Sequence, residues 1–281
     1  MVGAYIAAGE LNRVVGLALA EDVGPGDVTS LATVPPEAPG RAVFQAKASG
    51  VLCGLPLLEA VYAQIDPAVR VQCLEMEGAA LTPGTRIAVV DGPARSLLTG
   101  ERVALNFLQH LSGIATRTAR FVRLVEGTGA RIVDTRKTVP GLRALAKYAV
   151  RVGGGSNHRF ALYDGVLIKD NHIQAAGGIR AAVARARAHA PHLLRIEVET
   201  ESLEQVREAL DAEADIVMLD NMDLATLREA VRLCHGRALT EASGGVTEAT
   251  VRAIAETGVD LISVGAITHS VAALDISLDW E

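Results

Sequence analysis

From Gly129 onward the chain alternates short apolar runs with helical ones, and this alternation restricts its fold more than any other feature. Ile132-Val133 precedes a helical run at Leu142–Val150, Gly165–Ile168 precedes one at Ile179–His189, and Leu193–Val198 precedes one at Leu203–Leu210. Ile216–Leu219 leads into Leu224–Cys234, Leu239 leads into Thr250–Glu256, and Leu261–Val264 is the last run. Six strand runs joined by five helical ones predict a parallel sheet, because each helix returns the chain over one face to start the next strand. A closed or nearly closed barrel is the simplest container. Six strands fall short of a full eight-stranded barrel, and an open doubly wound sheet is the alternative.

The chain before Gly129 has another rhythm. Apolar positions at helical spacing over residues 4–20 (Ile6, Leu11, Val14, Val15, Leu19) predict a helix. Gly24, Pro25 and Gly26, within EDVGPGDVTS (Glu21–Ser30), impose a turn that Asp27 or Thr29 caps, and Pro35, Pro36 and Pro39 prolong the loop. Arg41–Gly54 reads as a strand pair and Pro56–Ile65 as a helix opened by proline. Val69–Met76 and Arg86–Asp91 read as strands parted by the turn Thr82-Pro83-Gly84. Thr99 is the expected N-cap of a long helix from Glu101 to about Glu126, with Val103, Phe107, Leu111, Ile114 and Ala115 on one stripe. Together these elements predict a small α+β layer.

Composition narrows the function. The 281 residues suffice for a barrel plus a smaller domain. Aromatic residues make up only 3%, which leaves little for a single-strand stacking platform, and a net charge of −6 argues against general nucleic-acid binding. Cys53, Cys73 and Cys234 form no C-x-x-C and are expected to be reduced thiols of a cytoplasmic protein. Glu10 and Arg13 interrupt the first apolar segment, so no signal peptide is expected, and no uncharged apolar run is long enough to span a membrane. Against this acidic background, Arg131 to Lys169 carries eight Lys/Arg and two acidic residues, a local surplus that suits a polyanion.

Each apolar run ends in polar or glycine residues: Asp134-Thr135-Arg136-Lys137, Lys169-Asp170-Asn171-His172, Glu199, Asp220-Asn221, Glu241 through Gly245, and Gly265-Ala266. In parallel α/β folds these strand ends converge on one face, where sites are built. Arg136, Lys137, Arg159 and Lys169 supply positive charge there, and Lys169 directly follows Val166-Leu167-Ile168. Glu199 and Asp220 are two strand-end carboxylates suited to Mg²⁺ held through water, or to neutralising the nearby cations. Ser243-Gly244-Gly245 and Gly265-Ala266 permit close backbone approach to a phosphate. The run Gly153–Arg159 is a glycine-rich loop that can fold over an anion, with His158 as a hydrogen-bond donor or charge carrier. No P-loop, H-E-x-x-H or G-x-S-x-G signature occurs.

Eight segments spread from Glu21 to Asp279 then carry a resemblance. They are EDVGPGDVTS, GERVALNFLQHLSGIAT, DTRKTVPGLR, KYAVRVGGGSNHR, LIKDNH, LDN, EASGG and VGAITHSVAALDISLD. On them the chain resembles the quinolinate phosphoribosyltransferases, also called nicotinate-nucleotide pyrophosphorylases (carboxylating). The resemblance implies an incomplete α/β barrel of about seven strands plus an N-terminal α/β sandwich domain. Residues 1–112 would form the sandwich, 113–270 the barrel, and 271–281 would pack back onto the sandwich. It implies phosphoribosyl transfer from 5-phosphoribosyl 1-pyrophosphate to quinolinate with decarboxylation, in de novo NAD biosynthesis, with Mg²⁺ and no organic cofactor. It further implies a homodimer with shared sites, to which Arg102, in the first turn of the long helix, is contributed by the neighbouring copy.

By the same resemblance Lys137, Lys169, Glu199 and Asp220 are catalytic. Arg102, Arg136, His158 and Arg159 grip quinolinate, while Thr135, Ser243, Gly244, Gly245, Gly265 and Ala266 bind substrate beside them. Glu199 and Asp220 hold ribose hydroxyls and Mg²⁺-bound water. The alternatives are a relative of the molybdate-transport type that uses another base, a Schiff-base lyase using Lys169, and a non-catalytic phosphometabolite sensor.

Overall fold

The computed structural model describes residues 6–281, which divide into two compact units. The first takes the chain through Ala119, with Thr138–Gly154 and Ile267–Glu281; the second takes Arg120–Lys137 and Gly155–Ala266.

The first unit opens with α1 (Ala8–Asp22), on which Val14 and Val15 are buried. Positions 4 and 5 of the expected helix lie outside the described residues. After the turn at Gly24 and Gly26, α2 (Val28–Thr33) begins at Asp27, whose carboxylate accepts the backbone N–H groups of Thr29 (3.1 Å) and Ser30 (3.0 Å). A loop was expected here. One buried residue in a helix this short leaves no apolar stripe to detect. There follow β1 (Pro39–Ala46), β2 (Gly50–Val51), α3 (Leu55–Ile65, with a proline in its first turn), β3 (Arg70–Cys73), β4 (Ala80–Leu81) and β5 (Arg86–Pro93).

The strand pair expected within Arg41–Gly54 does not form. β1 lies between β5 and the C-terminal strand Ile276–Trp280, antiparallel to both, and β2 pairs instead with β4. Ala42-Val43-Phe44 is a run of three buried residues that fills the middle of a sheet, not one arm of a local hairpin.

Helix α4 (Ala94–Leu124) starts earlier than expected, directly from β5, and the N–H of Ala94 is taken by the carbonyl of Ala38 at 2.8 Å. Thr99 therefore lies inside the helix rather than capping it, and its hydroxyl reaches Asp27 Oδ2 at 3.4 Å. Arg102 correspondingly sits in the third turn, not the first, with its side chain exposed. The stripe Val103, Phe107, Leu111, Ile114 and Ala115 is buried as expected, each large member contributing roughly 1.5–3 kcal/mol by leaving water.

The second unit holds β6 (Arg131–Val133), which is followed by α5 (Arg143–Val152) of the first unit. Then come β7 (Val166–Ile168), α6 (Asp170–Ala176), α7 (Ile179–His189), β8 (Ile196–Thr200), α8 (Leu203–Asp211), β9 (Ile216–Asp220) and α9 (Leu224–Cys234). β10 (Leu239–Ser243), α10 (Val251–Ala255), β11 (Leu261–Ser263) and α11 (Ala266–His269) follow, and Ile276–Trp280 is β12. The parallel strands run in the order β6-β11-β10-β9-β8-β7. Sequence neighbours are sheet neighbours, and β6 closes onto β11, which is a barrel cut between β6 and β7. Ser156 bridges Val133 in parallel at that cut, so its segment serves as a seventh stave.

Strand alternation sets two faces. Val198, Val217, Leu219, Ala242 and Ile262 are buried on the helix side, where α8 brings Val206, Ala209 and Leu210 and α9 brings Leu227, Ala230 and Cys234. The opposite parity points into the lumen. Helix α6 was not foreseen: it has no buried residue, so no periodicity marks it. Cys53 and Cys234 are buried and Cys73 half-buried, all as free thiols. Among the described residues no helix is long and apolar enough to cross a membrane.

Candidate active site

Lumen parity and register bring the polar strand ends of the second unit together. Glu199 pairs with Met218 and Met218 with Glu241, while Ser243 pairs with Asp220, so all five side chains share the lumen face. Met218, Glu241 and Ser243 line a cavity of about 280 Å³ toward the strands' C-terminal ends, while Glu199 and Asp220 share the face but are not part of its lining. Arg136, Lys137, Arg159 and Lys169 line it, together with Thr135, His158, Glu241 and Ser243. The positive run of the sequence is therefore not one site. Arg143, Lys147 and Arg151 lie on α5 in the first unit, with Lys147 buried, and four of the remaining cations reach the cavity.

Asp134, fully buried at the end of β6, builds one wall. Its carboxylate accepts Asn157 Nδ2 at 2.6 Å and the backbone N–H of His158 at 2.9 Å. The backbone of Ser156 is also stitched to Ile132 (2.8 Å) and Asp134 (3.1 Å). The run read as a loop folding over an anion is thus, from Gly155 on, a fixed stave. His158 is oriented from both sides. Its Nδ1 accepts the N–H of Arg159 at 2.8 Å, so Nε2 carries the hydrogen and donates to Glu197 Oε2 at 2.9 Å. This is the neutral tautomer, and the charge-carrier option for His158 does not match it. Arg159 donates through Nη1 to Gly165 O at 2.9 Å, while its buried Nε has no partner among the described residues. Burial, with Arg136 close by, lowers the pKa of Arg159 from its ordinary value. Adjacent guanidiniums in a partly dry wall favour an anion between them.

The two strand-end acids are held differently. Glu199, half-buried, accepts an ion-pair hydrogen bond from Lys169 Nζ, and Lys169 stands at the N-terminus of α6. Asp220 Oδ2 accepts Asn221 Nδ2 at 2.6 Å. Asn221 adopts a left-handed φ of +53° and donates its N–H to Ser243 O at 2.9 Å. Gly244 (φ +91°) lies against Asn221, where a Cβ would come within 2.1 Å of Oδ1. Thr135 Oγ1 accepts the N–H of Lys137 at 3.0 Å. Ser243, Gly244, Gly265 and Ala266 are half-buried in the second unit and Gly245 is exposed. Of the expected site residues, Arg102 alone lies in the first unit.

Two lumen acids have no role assigned from the sequence: Glu241 is read there only as the start of a polar strand end, and Glu197 is not singled out. Glu197 and Glu241 are buried in mid-strand, and Glu241 Oε2 is 3.7 Å from His158 Nε2. A signal existed: Glu197 stands two residues before Glu199 on one strand, hence on the same face. Burial, reinforced by the Glu197 carboxylate, pushes Glu241 up to about 8. The folded chain then keeps a proton that the unfolded chain releases near the ordinary value of 4.5. Stability from this group is complete below that value and falls as the pH climbs toward 8. Denaturant melts of Glu241→Gln should diverge from wild type in the variant's favour between pH 5 and pH 9, by at least the ~1.4 kcal/mol of a one-unit shift. Parallel stability curves would refute this.

Residues 27–112 match the family model described as quinolinate phosphoribosyl transferase, N-terminal domain, and residues 114–279 match its C-terminal domain. A Bacillus subtilis (strain 168) protein described as a probable nicotinate-nucleotide pyrophosphorylase (carboxylating) is 46% identical over 270 residues, 96% of this chain and 93% of that one. The structure is similar to NadC from Streptococcus pyogenes, with a TM-score of 0.94 and 42% identity over 98% of this chain and 99% of that one. It is also similar to a Francisella tularensis nicotinate-nucleotide pyrophosphorylase, with a TM-score of 0.93 and 39% identity over 98% of both chains.

Proposed function

The chain belongs to the quinolinate phosphoribosyltransferase family, and from that premise we propose that it transfers the phosphoribosyl group of 5-phosphoribosyl 1-pyrophosphate to the ring nitrogen of quinolinate. Decarboxylation follows, giving nicotinate mononucleotide, pyrophosphate and CO₂ in de novo NAD biosynthesis. One observation carries this reading to the residues: Arg136, Lys137, Arg159 and Lys169 line one cavity, with Glu199 and Asp220 on the same lumen face.

Quinolinate is a dianion, and the forks of Arg136 and Arg159 suit its carboxylates. His158, as a neutral ring, shapes the wall and holds Glu197 instead of supplying charge. Lys137 and Lys169 face the pyrophosphate and ribose phosphate, and Thr135, Ser243-Gly244-Gly245 and Gly265-Ala266 bring backbone and hydroxyl groups to the phosphates. Glu199 and Asp220 take ribose hydroxyls, and their negative charge favours the cationic ribose that develops as pyrophosphate departs. Both offer hard carboxylate oxygens on adjacent strands, a donor set that fits Mg²⁺ retaining its waters. Mg²⁺, when bound, would neutralise pyrophosphate charge. Attaching ribose makes the ring nitrogen cationic, so the ring itself accepts the electrons left by CO₂ and no organic cofactor is needed.

The decisive assay supplies quinolinate or nicotinate with phosphoribosyl pyrophosphate and Mg²⁺. Nicotinate mononucleotide and pyrophosphate from quinolinate are expected. Turnover of another base alone would favour the molybdate-transport type, and binding without pyrophosphate release would favour a sensor. The Lys169–Glu199 ion pair opposes the Schiff-base reading, since attack on a carbonyl needs a neutral amine.

We further propose a homodimer in which Arg102 serves the neighbouring copy's site. Its exposed position on α4, in the unit that lacks the other site residues, supports this. Mixing Arg102→Ala with Lys169→Ala under subunit exchange should restore up to about a quarter of wild-type turnover per subunit, because one of the two sites in each hybrid is intact and hybrids are half of a statistical mixture. No recovery after verified exchange would end the shared-site idea.

A further inference from the structure

Beneath the cations of the cavity lie two acids to which the proposed reaction gives no task. The side chains of Glu197 and Glu241 are 5% and 1% exposed. His158 Nε2 is 2.9 Å from Glu197 Oε2 and 3.7 Å from Glu241 Oε2. The second oxygen of each, Oε1, is buried with no hydrogen-bond partner among the described residues. The trio has the composition of a metal site, but its hydrogen bonding opposes one. Because His158 Nδ1 accepts the Arg159 N–H, Nε2 keeps its hydrogen and has no lone pair for an ion. A proton satisfies the pair instead, since two carboxylates in one dry site do not both ionise.

The position of that proton matters. Glu241, His158 and Arg159 line both the cavity at the strand ends and a second cavity of about 360 Å³ bordered by Arg131, Arg195, Ile216 and Leu261 at the strand starts. Glu241 therefore forms part of the floor between the two. The groups facing it are Glu197 from β8, His158 and Arg159 from the Ser156 stave, Asp134 from the end of β6, Ser263 from β11 and Met218 from β9. His158 already gives its hydrogen to Glu197.

We propose that Glu241 is the acid that protonates the ring carbon vacated by CO₂. This rests on the reaction proposed above. The bond from ring carbon to carboxylate breaks, and CO₂ leaves without the electron pair. The pair stays on the carbon beside the cationic ring nitrogen. The C–C cleavage is reversible, and the O–H bond of Glu241 then breaks, its proton forming the new C–H bond before the carbanion recaptures CO₂, so net CO₂ release waits on this proton and no oxidation or reduction occurs. The resulting carboxylate beside Glu197 regains a proton from water entering the second cavity.

The test is a single turnover of the full chain with quinolinate labelled in the departing carboxylate, phosphoribosyl pyrophosphate and Mg²⁺, from pH 6 to 9.5, following pyrophosphate and CO₂ separately. Wild type should lose the rate of CO₂ release above about pH 8 while pyrophosphate release holds. Glu241→Gln should keep pyrophosphate release within a few-fold, slow CO₂ release about a hundredfold, and lack the alkaline limb. Glu241→Asp should recover part of the CO₂ rate with the limb displaced. Equal rates for wild type and Glu241→Gln, an equal loss of both products, or an unchanged alkaline limb would overturn the assignment. If the glutamine variant does not fold, an alkaline limb in Glu241→Asp identical to wild type overturns it. Wild type releasing no pyrophosphate from quinolinate would defeat the reaction itself, a failure distinct from that of Glu241.

Discussion

Lys169→Ala should lower kcat/KM by about a hundred- to a thousandfold while leaving the fold intact. The ammonium sits at the strand-end mouth, paired to Glu199 and aimed at the proposed phosphate side. Removing one preorganised charge from such a site costs about 2.7–4 kcal/mol of transition-state stabilisation. The loss of folding stability is far smaller. The Lys169 side chain is 45% exposed, so the ion pair is solvent-screened and contributes only about 0–1 kcal/mol. Glu199 keeps some access to water after the change. Steady-state kinetics beside thermal melts check both halves. Near-normal turnover would remove Lys169 from the mechanism, and a collapse of the melting temperature would make it a structural residue.

Gly244→Ala should damage the site from the backbone. The residue combines a left-handed φ of +91° with a Cβ position 2.1 Å from Asn221 Oδ1. The conformation alone costs about 1–2 kcal/mol for an L-residue. The clash adds to it, because Asn221 is anchored through its N–H to Ser243 and through Nδ2 to Asp220. Pushing Asn221 aside therefore displaces the proposed ribose-binding carboxylate. The expected result is a stability loss of about 2–3 kcal/mol and a KM for phosphoribosyl pyrophosphate raised about tenfold or more. Gly84→Ala supplies the control, with the same φ and nothing within 4 Å. It should lose only the conformational part and no activity. Equal effects at the two positions would mean that Asn221 yields without consequence.

How much of this was legible beforehand varied with the physics of each element. The barrel strands and helices α7, α8 and α9 were readable, because one buried stripe per helix and one apolar run per strand write their periods into the chain. Helices α2 and α6 carry too few buried residues to write a period and were missed. The start of α4 was misplaced because Thr99 has the chemistry of a cap, while the real start is set by Ala94 donating to Ala38, a bond between distant residues. For the same reason β1 was assigned a local partner it does not have.

At the site, chemistry by residue type was visible and state was not. The strand-end order from Asp134 to Ala266 could be read off the sequence because parallel strands release their polar residues at one end. The surplus of positive charge between Arg131 and Lys169 was read as a single feature, yet the chain divides it between two units and buries Lys147. Charge adds along a sequence, but sites form in space. The sequence alone determined the alternating architecture, the family and which side chains stand at strand ends, since these follow from periodicity and local order. Only the tertiary structure decided the His158 tautomer, the burial that protonates Glu241 and the need for glycine at 244. Each of those depends on what a distant strand places within a few ångströms, and no local pattern encodes that distance.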